Sequence, residues 1–326
     1  MLQILQANLH KGRLNQLSLL NDESISTYDI ICVSEPYYFN SNGQTLTHSH
    51  NHWHAILPAN ETYTGHTPIM IRSMIWINKN ITNFHILKTR SPDITAISLQ
   101  TTDNRHLLVF STYEQPDNGP GAHEHLRTSM DKIRRLYEIE QRKYGDQLDV
   151  IVAGDLNRHD PVWGGDHIAA SRRMGEASPI IELMTDLQLR SLLPRGTITY
   201  SSGRWTSTID LMLASDFLAT RKISCQLHHT ENGSDHRPIE TCFELDTIPR
   251  IQKAPKKWCL KKACWDKIRD SLRRQQWSRP CINTPEELEM NLQLLVERTE
   301  EAIDKHTPKQ KHRLTLNAGG QENSPK

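Results

Sequence analysis

Short, nearly continuous apolar runs alternate with polar, turn-rich stretches through the first 245 residues. Runs of this length, several of them β-branched, predict strands buried in a layered sheet. They fall at Leu2–Ala7, Asp29–Ser34, Ile69–Ile77, Ile94–Leu99, His106–Thr112, Asp149–Ala153, Thr197–Ser201, Ile209–Leu213 and Pro238–Leu245. Two stretches carry the helical period instead. In His123–Lys143 the residues Leu126, Met130, Ile133 and Tyr137 share one face, and in Met174–Gln188 so do Ile180, Ile181, Met184 and Leu187. Strands outnumber helices, so the pattern predicts a β-rich α/β sandwich with helices outside, not a doubly wound sheet.

Beyond Asp246 the pattern changes. Pro249 and Pro255 interrupt a basic stretch, and Trp265–Arg274 has the makings of a short helix. Thr284-Pro285-Glu286-Glu287 is a capping box with proline at the first helical position. It opens a helix with Leu288, Leu292, Leu295, Thr299 and Ile303 along one stripe, which predicts burial against the main domain or a partner. The last twenty residues are polar and contain Gly319-Gly320, a composition of disorder. The expected organisation is a domain over 1–245, a basic linker and amphipathic helix over 246–305, and a disordered tail over 306–326.

Composition narrows the class. Of the 326 residues, 36% are hydrophobic and 24% charged, as in a rather polar globular protein. No run reaches the roughly 18 apolar residues of a membrane span, and no basic, apolar leader opens the chain. An intracellular location without membrane contact is therefore expected. Cys32, Cys225, Cys242, Cys259, Cys264 and Cys281 include no Cys-x-x-Cys pair, so reduced thiols are expected and a zinc site is not. The net charge of +1 conceals an asymmetry. Residues 247–280 hold eleven Lys and Arg against two Asp, leaving eight excess acids elsewhere. Trp258, Trp265 and Trp277 interleave with this block, which suits either contact with nucleic-acid phosphates and bases or a solvated linker with docked aromatics.

Candidate chemistry sits at the ends of the predicted strands. Asn8 ends the first and Glu35 the second; Asp155 and Asn157 follow Asp149–Ala153. Asp210 begins Ile209–Leu213, and Asp235-His236 precedes the last strand. Singly, an Asp after a strand is more often a turn or helix cap. Together, isolated acids, amides and an imidazole emerging from several strand ends describe a cleft for metal-assisted phosphodiester hydrolysis. Mg²⁺ takes one or two carboxylates and keeps its waters, so it needs no dense acidic cluster in sequence.

The order of these motifs resembles the endonuclease/exonuclease/phosphatase superfamily, which includes DNase I and the apurinic endonucleases, over about residues 1–245. Gly154-Asp155-Leu156-Asn157, with His159 and Trp163-Gly164 following, is similar to the Gly-Asp-Phe-Asn motif of the apurinic-like endonucleases of non-LTR (LINE-type) retrotransposons. Thr199-Tyr200-Ser201, Ser207-Thr208-Ile209-Asp210 and Ser234-Asp235-His236-Arg237-Pro238 complete the resemblance.

The resemblance implies a four-layer, DNase I-like α/β sandwich of two stacked mixed sheets flanked by helices, with a helical C-terminal extension. It implies metal binding by Glu35 with Asn8 and Asp235, the cofactor being Mg²⁺ or Mn²⁺. His236, held by Asp210, contacts the scissile phosphate and orients or deprotonates the attacking water. Asp155 positions the nucleophile or serves the leaving group, Asn157 donates to the phosphate, and Tyr113 faces it. Thr199, Ser234 and His159 contact DNA.

The implied activity is nicking of target DNA in the nucleus, with DNA and element RNA as partners and a reverse transcriptase domain in a full-length relative. No Tyr-x-Asp-Asp-like motif is present, so an N-terminal portion or truncated copy is expected. Two departures stand out: His10 replaces an Asp common in apurinic enzymes, and Glu114-Gln115-Pro116 follows Tyr113. Alternatives are an abasic-site repair nuclease or another phosphodiesterase of this fold, and a nucleic-acid-binding relic that no longer cuts. Asn40–His54 and Gly203–Ser207 are the loops expected to select the target.

Overall fold

A computed structural model of the chain describes residues 1–41, 44–58, 70–101, 103–116, 121–169, 176–245, 258–274 and 285–308. Ile69, Met174, Lys253–Lys257, Trp277, Cys281, Thr284 of the capping box and nearly all of the predicted tail lie outside these residues. The chain divides into two compact units, Met1–Ile251 and Gln252–Lys326.

The strands of the first unit are, in order, β1 (Leu2–Asn8), β2 (Ile30–Ser34), β3 (Phe39–Ser41), β4 (Gln44–Leu46), β5 (Trp53–Ile56), β6 (Ser73–Asn78), β7 (Phe84–Leu87) and β8 (Ile94–Gln100). They continue with β9 (His106–Tyr113), β10 (Leu148–Asp155), β11 (Leu189–Ser191), β12 (Tyr200–Ser202), β13 (Trp205–Ser207), β14 (Asp210–Ser215), β15 (Lys222–Leu227) and β16 (Ile239–Phe243). Its helices are α1 (Arg13–Asn21), α2 (Ala122–Tyr144), α3 (Pro161–Gly164), α4 (Asp166–Ala169), α5 (Ser178–Asp186) and α6 (Asp216–Thr220). One six-stranded sheet runs β15-β16-β1-β2-β6-β5 and the other β11-β14-β10-β9-β8-β7. Both are mixed: β1 pairs parallel to β2 and antiparallel to β16, while β10 pairs parallel to β9 and antiparallel to β14.

Three apolar clusters make this a four-layer sandwich. Leu2, Ile4, Cys32 and Ile75 of one sheet meet Val109, Ile151, Ala153 and Met212 of the other. Leu5, Ala7, Ile31 and Val33 on the first sheet's outer face pack with Leu19 and Leu20 of α1. Leu108, Phe110, Val150 and Val152 on the second sheet's outer face pack with Leu126, Met130, Ile133, Ile180 and Leu183 of α2 and α5. Strands covered on both faces read as continuous apolar runs, which is why the pattern exposed them. Each aliphatic side chain so buried contributes about 1.5–3 kcal/mol.

Period-two alternation also builds the site. Leu2 and Ile4 face the inter-sheet core, and the next residues on that face are Gln6 and Asn8. The same phase runs Ile151, Ala153, Asp155 on β10 and Asp210, Met212, Ala214 on β14. At one end of the sandwich, therefore, the inter-sheet layer turns from aliphatic to polar.

Several strand bounds and one helix differ from expectation. Short strands β5, β7, β11 and β15 were not expected, because three to six mixed residues give little alternation signal. The helix expected from Met174 forms at Ser178, with Pro179 in its first turn; Ile180 and Leu183 are its buried pair, while Ile181 and Met184 are only half-buried. The expected loops are largely hairpins, β3–β4 within 40–54 and β12–β13 around Gly203.

The second unit contains α7 (Trp265–Arg274) and α8 (Pro285–His306). The expected α8 stripe is not its buried face: Leu288, Leu292 and Leu295 are exposed, and Ala302 is buried. No described helix is long and apolar enough to cross a membrane.

Candidate active site

A cleft of about 910 Å³ opens where the inter-sheet layer becomes polar, and Glu35, Tyr113, Asp155, Asn157, Asp235 and His236 line it together with His10 and His159. The backbone there is unusual. His10, Lys11, Glu35 and Asn157 all have positive φ, between 48° and 53°, without being glycine. Such residues carry strain on the order of 1–3 kcal/mol each and gather at functional sites. Gly154 is required for a different reason: an added Cβ there would lie 1.9 Å from the Thr112 carbonyl oxygen. Only glycine lets β10 press against β9 at the point where Asp155 is presented.

Asp155 and Asp210 form the floor. Both are buried, and their oxygens are engaged by protein donors. Asp155 Oδ1 accepts the Asn157 amide N–H (3.0 Å), and Oδ2 accepts Nδ2 of Asn8 and of Asn157 (2.9 Å each). Asp210 Oδ1 accepts Gln6 Nε2 (2.9 Å), and Oδ2 accepts Nδ1–H of His236 (2.7 Å). That last bond fixes the imidazole tautomer and leaves Nε2 at 3.9 Å from Asp155 and 4.0 Å from Asp235. Burial works against a charged His236, but Asp210, then Asp155 and Asp235, outweigh it and raise its pKa to about 9. Burial, reinforced by Asp210, raises the Asp155 pKa well above the ordinary carboxylate range. Burial first, then the charges of Glu35 and Asp155, also raise Tyr113.

Glu35 and Asp235 form the open side. Glu35 meets the half-exposed Lys11 ammonium at 3.0 Å, and Asp235 meets His10 Nδ1 at 3.3 Å. Asp235 Oδ1, the oxygen facing His10, is buried and makes no hydrogen bond. Two carboxylates facing one cleft, one of them with an unsatisfied oxygen, fit a hard divalent cation that keeps most of its waters. Asp155, Asp210 and His236 are also close enough to share an ion. Their carboxylate oxygens already accept internal hydrogen bonds, whereas His236 Nε2 takes no part in them.

Three of the expected site residues are engaged within the protein. Thr199 is fully buried, and its hydroxyl accepts the amides of Ile209 and Asp210 (3.1 Å each), so it shapes the strand entering Asp210. Asn8 donates to Asp155 and accepts the His10 amide (2.8 Å), so both ends of its side chain are engaged away from an open metal position. Asn157 uses both amide hydrogens on Asp155 and the Glu114 carbonyl (2.8 Å), leaving none for phosphate. Ser234 accepts the His236 amide at 3.2 Å and so fixes the turn that presents the imidazole.

Other contributors were not among the expected site residues. Gln6 reaches across the sheets to Asp210, and its signal was a polar residue inside an apolar strand. Tyr200 packs on the His236 ring at 4.8 Å between centroids. Arg158 is buried and bonds the carbonyls of Gln115, Asn157 and Ala122, joining the two loops beneath the cleft to the start of α2. Nothing local in the sequence distinguishes it from a surface arginine.

Residues 107–240 match the family described as endonuclease-reverse transcriptase. No curated protein sequence matches the chain. Among solved structures, the endonuclease domain of TRAS1, a telomere-specific non-LTR retrotransposon, superimposes with a TM-score of 0.57 at 17% identity, over 76% of this chain and 100% of that one. The Xenopus laevis APE2 catalytic domain does so at 0.55 and 13%, over 77% and 94%. The 3′ phosphatase NExo from Neisseria, bound to product DNA hairpin, gives 0.54 and 14%, over 75% and 100%. At these identities the likenesses establish the fold, a DNase I-like sandwich.

Proposed function

We propose that this chain, of the endonuclease/exonuclease/phosphatase superfamily and most like the endonucleases of non-LTR retrotransposons, is a Mg²⁺- or Mn²⁺-dependent DNA endonuclease. It nicks one strand of target DNA and leaves a 3′-hydroxyl suited to priming reverse transcription. The observation that carries this reading is the convergence of Glu35, Tyr113, Asp155, Asp235 and His236 on one cleft from separate stretches of both sheets.

Glu35 and Asp235 are the residues to hold the cation. Bound there, a divalent ion supplies positive charge beside the scissile phosphate. Every other role falls to the chain itself. Asp210 keeps the Nδ1 proton of His236, so that Nε2 addresses the phosphate. With a pKa raised to about 9, His236 is a charged donor at neutral pH, which favours orienting phosphate and water over deprotonation. Asp155, made more basic by burial and by Asp210, accepts a proton from the attacking water. Tyr113 stays protonated and donates to a phosphate oxygen. Asn8 and Asn157 hold Asp155, and His159 lies on the cleft wall where DNA passes.

Substrate selection would draw on the β12–β13 hairpin, whose Trp205 is 79% exposed beside the cleft. The test is relaxation of supercoiled plasmid by purified protein in Mg²⁺, with Glu35→Ala as control. Metal-dependent nicking that disappears in the variant supports the reading; no nicking by either protein sinks it. Cleavage of an abasic oligonucleotide far faster than intact duplex would move the assignment to repair.

A further inference from the structure

Beneath the cleft lies a second charged cluster that the proposed chemistry does not use. Arg72, just before β6, pairs bidentately with Asp93, its Nη2 lying 3.0 Å from Asp93 Oδ2. His125, in the first turns of α2, places Nε2 at 3.3 Å from Asp93 and Nδ1 at 3.0 Å from Glu114. The Asp93 and Glu114 side chains are almost completely buried, whereas His125 is partly exposed. The Glu114 hydrogen bond, then the charges of Glu114 and Asp93, raise the His125 pKa above its ordinary value, so the imidazolium and the Arg72 guanidinium face the two acids. Removing one member leaves a buried charge uncompensated, which is far costlier than never having formed the cluster.

What singles this cluster out is its main chain. The Arg72 carbonyl accepts the Glu35 amide at 2.8 Å, and the Asp93 carbonyl accepts the Tyr113 amide at 2.9 Å. The Glu114 amide donates to the Asp155 carbonyl at 2.8 Å, and its own carbonyl accepts Asn157 Nδ2 at 2.8 Å. Each of the three strand-end residues in the cluster thus holds one or two residues of the proposed active site by a short backbone bond. Arg72 is also stacked near the Tyr113 ring, 5.9 Å from its centroid. The side chains brace the three backbones to one another, and α2 closes the brace through His125.

We propose that His125 is a positioning residue: with Arg72, Asp93 and Glu114 it forms a charged cross-brace that holds Glu35, Tyr113, Asp155 and Asn157 in mutual register. The inference deepens the endonuclease reading and rests on it for its kinetic consequence. Its structural consequence does not. Glu35 and Tyr113 come from different sheets, and no other described side-chain network ties both to α2.

The test uses the full chain with His125→Leu and the double variant His125→Leu/Glu114→Gln. Amide hydrogen exchange needs no activity. The Glu35, Tyr113 and Glu114 amides should exchange about tenfold or more faster in His125→Leu, while Val109 and Val152 in the strand centres stay protected. In plasmid nicking, kcat should fall about 100-fold, as for catalytic groups displaced by an ångström, with KM changed less than about threefold. Glu114→Gln, by removing the orphaned charge, should recover at least about tenfold of that loss. If wild-type protein never nicks, the endonuclease reading fails while the exchange result still judges the brace. Unchanged exchange at all three amides, or a double variant no better than the single one in both measurements, overturns the proposal. Should His125→Leu not fold, His125→Asn, which keeps one of the two bonds, is measured in the same way.

Discussion

The two sides of the cleft are built on opposite principles. On the floor, Asp155 and Asp210 are sealed and every oxygen accepts a hydrogen bond from Gln6, Asn8, Asn157 or His236. On the open side, Glu35 and Asp235 face the exposed side chains of Lys11 and His10, and Asp235 Oδ1 makes no hydrogen bond. A saturated carboxylate orients its neighbours and tunes their protons. An unsaturated one at a cleft is available to a ligand. Counting acids within reach of each other would place the metal among Asp155, Asp210 and His236. In the proposed function the cation would instead sit on the open side, at Glu35 and Asp235.

The sharpest way to break this contrast is to remove one residue from each side. Glu35→Gln and His236→Ala should each lower nicking by about 10³-fold or more. They should differ in metal dependence: the first raises the Mg²⁺ concentration for half-maximal rate, and the second leaves it where it was. A titration of nicking against Mg²⁺ decides, and the opposite pattern would put the cation on the floor. Asp210→Asn comes next, at about 10²–10⁴-fold in kcat, because the amide no longer enforces the imidazole tautomer. Its Mg²⁺ titration should match wild type.

Gln6→Leu should cost less, about tenfold in kcat, the scale of one hydrogen bond to a charged acceptor. Steady-state nicking rates at saturating Mg²⁺ measure it. A wild-type rate would show that Asp210 needs only His236 to stay in place.

This difference between the sides also explains what was legible in the sequence. The floor and the open side both lie at strand ends, so the residues that continue an apolar alternation into polar ones, such as Asp155 after Ile151 and Ala153, stood out. The fold was legible for the same reason, since strands buried on both faces are continuously apolar. What could not be read was partnership. Thr199 looks like a hydroxyl for phosphate until its two backbone donors are seen, and Asn157 looks like a donor until both hydrogens are found engaged. Arg158 and His125 were invisible because their partners are main-chain carbonyls and acids from other strands. Short edge strands such as β7 escaped because four residues of mixed polarity fit strand and loop equally.

The smallest predicted effect tests the floor alone, in metal-free protein. The His236 pKa is raised from 6.5 to about 9 when folded, despite the opposing cost of burial, because Asp210, Asp155 and Asp235 surround it. The folded chain therefore binds this proton more tightly than the unfolded chain does. The resulting stability is fully present below pH 6.5 and is lost as pH rises through about 9. The amount is on the order of 3 kcal/mol, which for a domain of this size corresponds to roughly 6–12 °C in melting temperature. Thermal melts in chelator from pH 6 to pH 9.5 should show that decline in wild type. In Asp210→Asn, where the main attractive charge is gone, the decline over the same window should shrink by at least about half. Parallel curves for the two proteins would mean that the imidazolium is held by the open side and not by the floor, and the division drawn between them would fall.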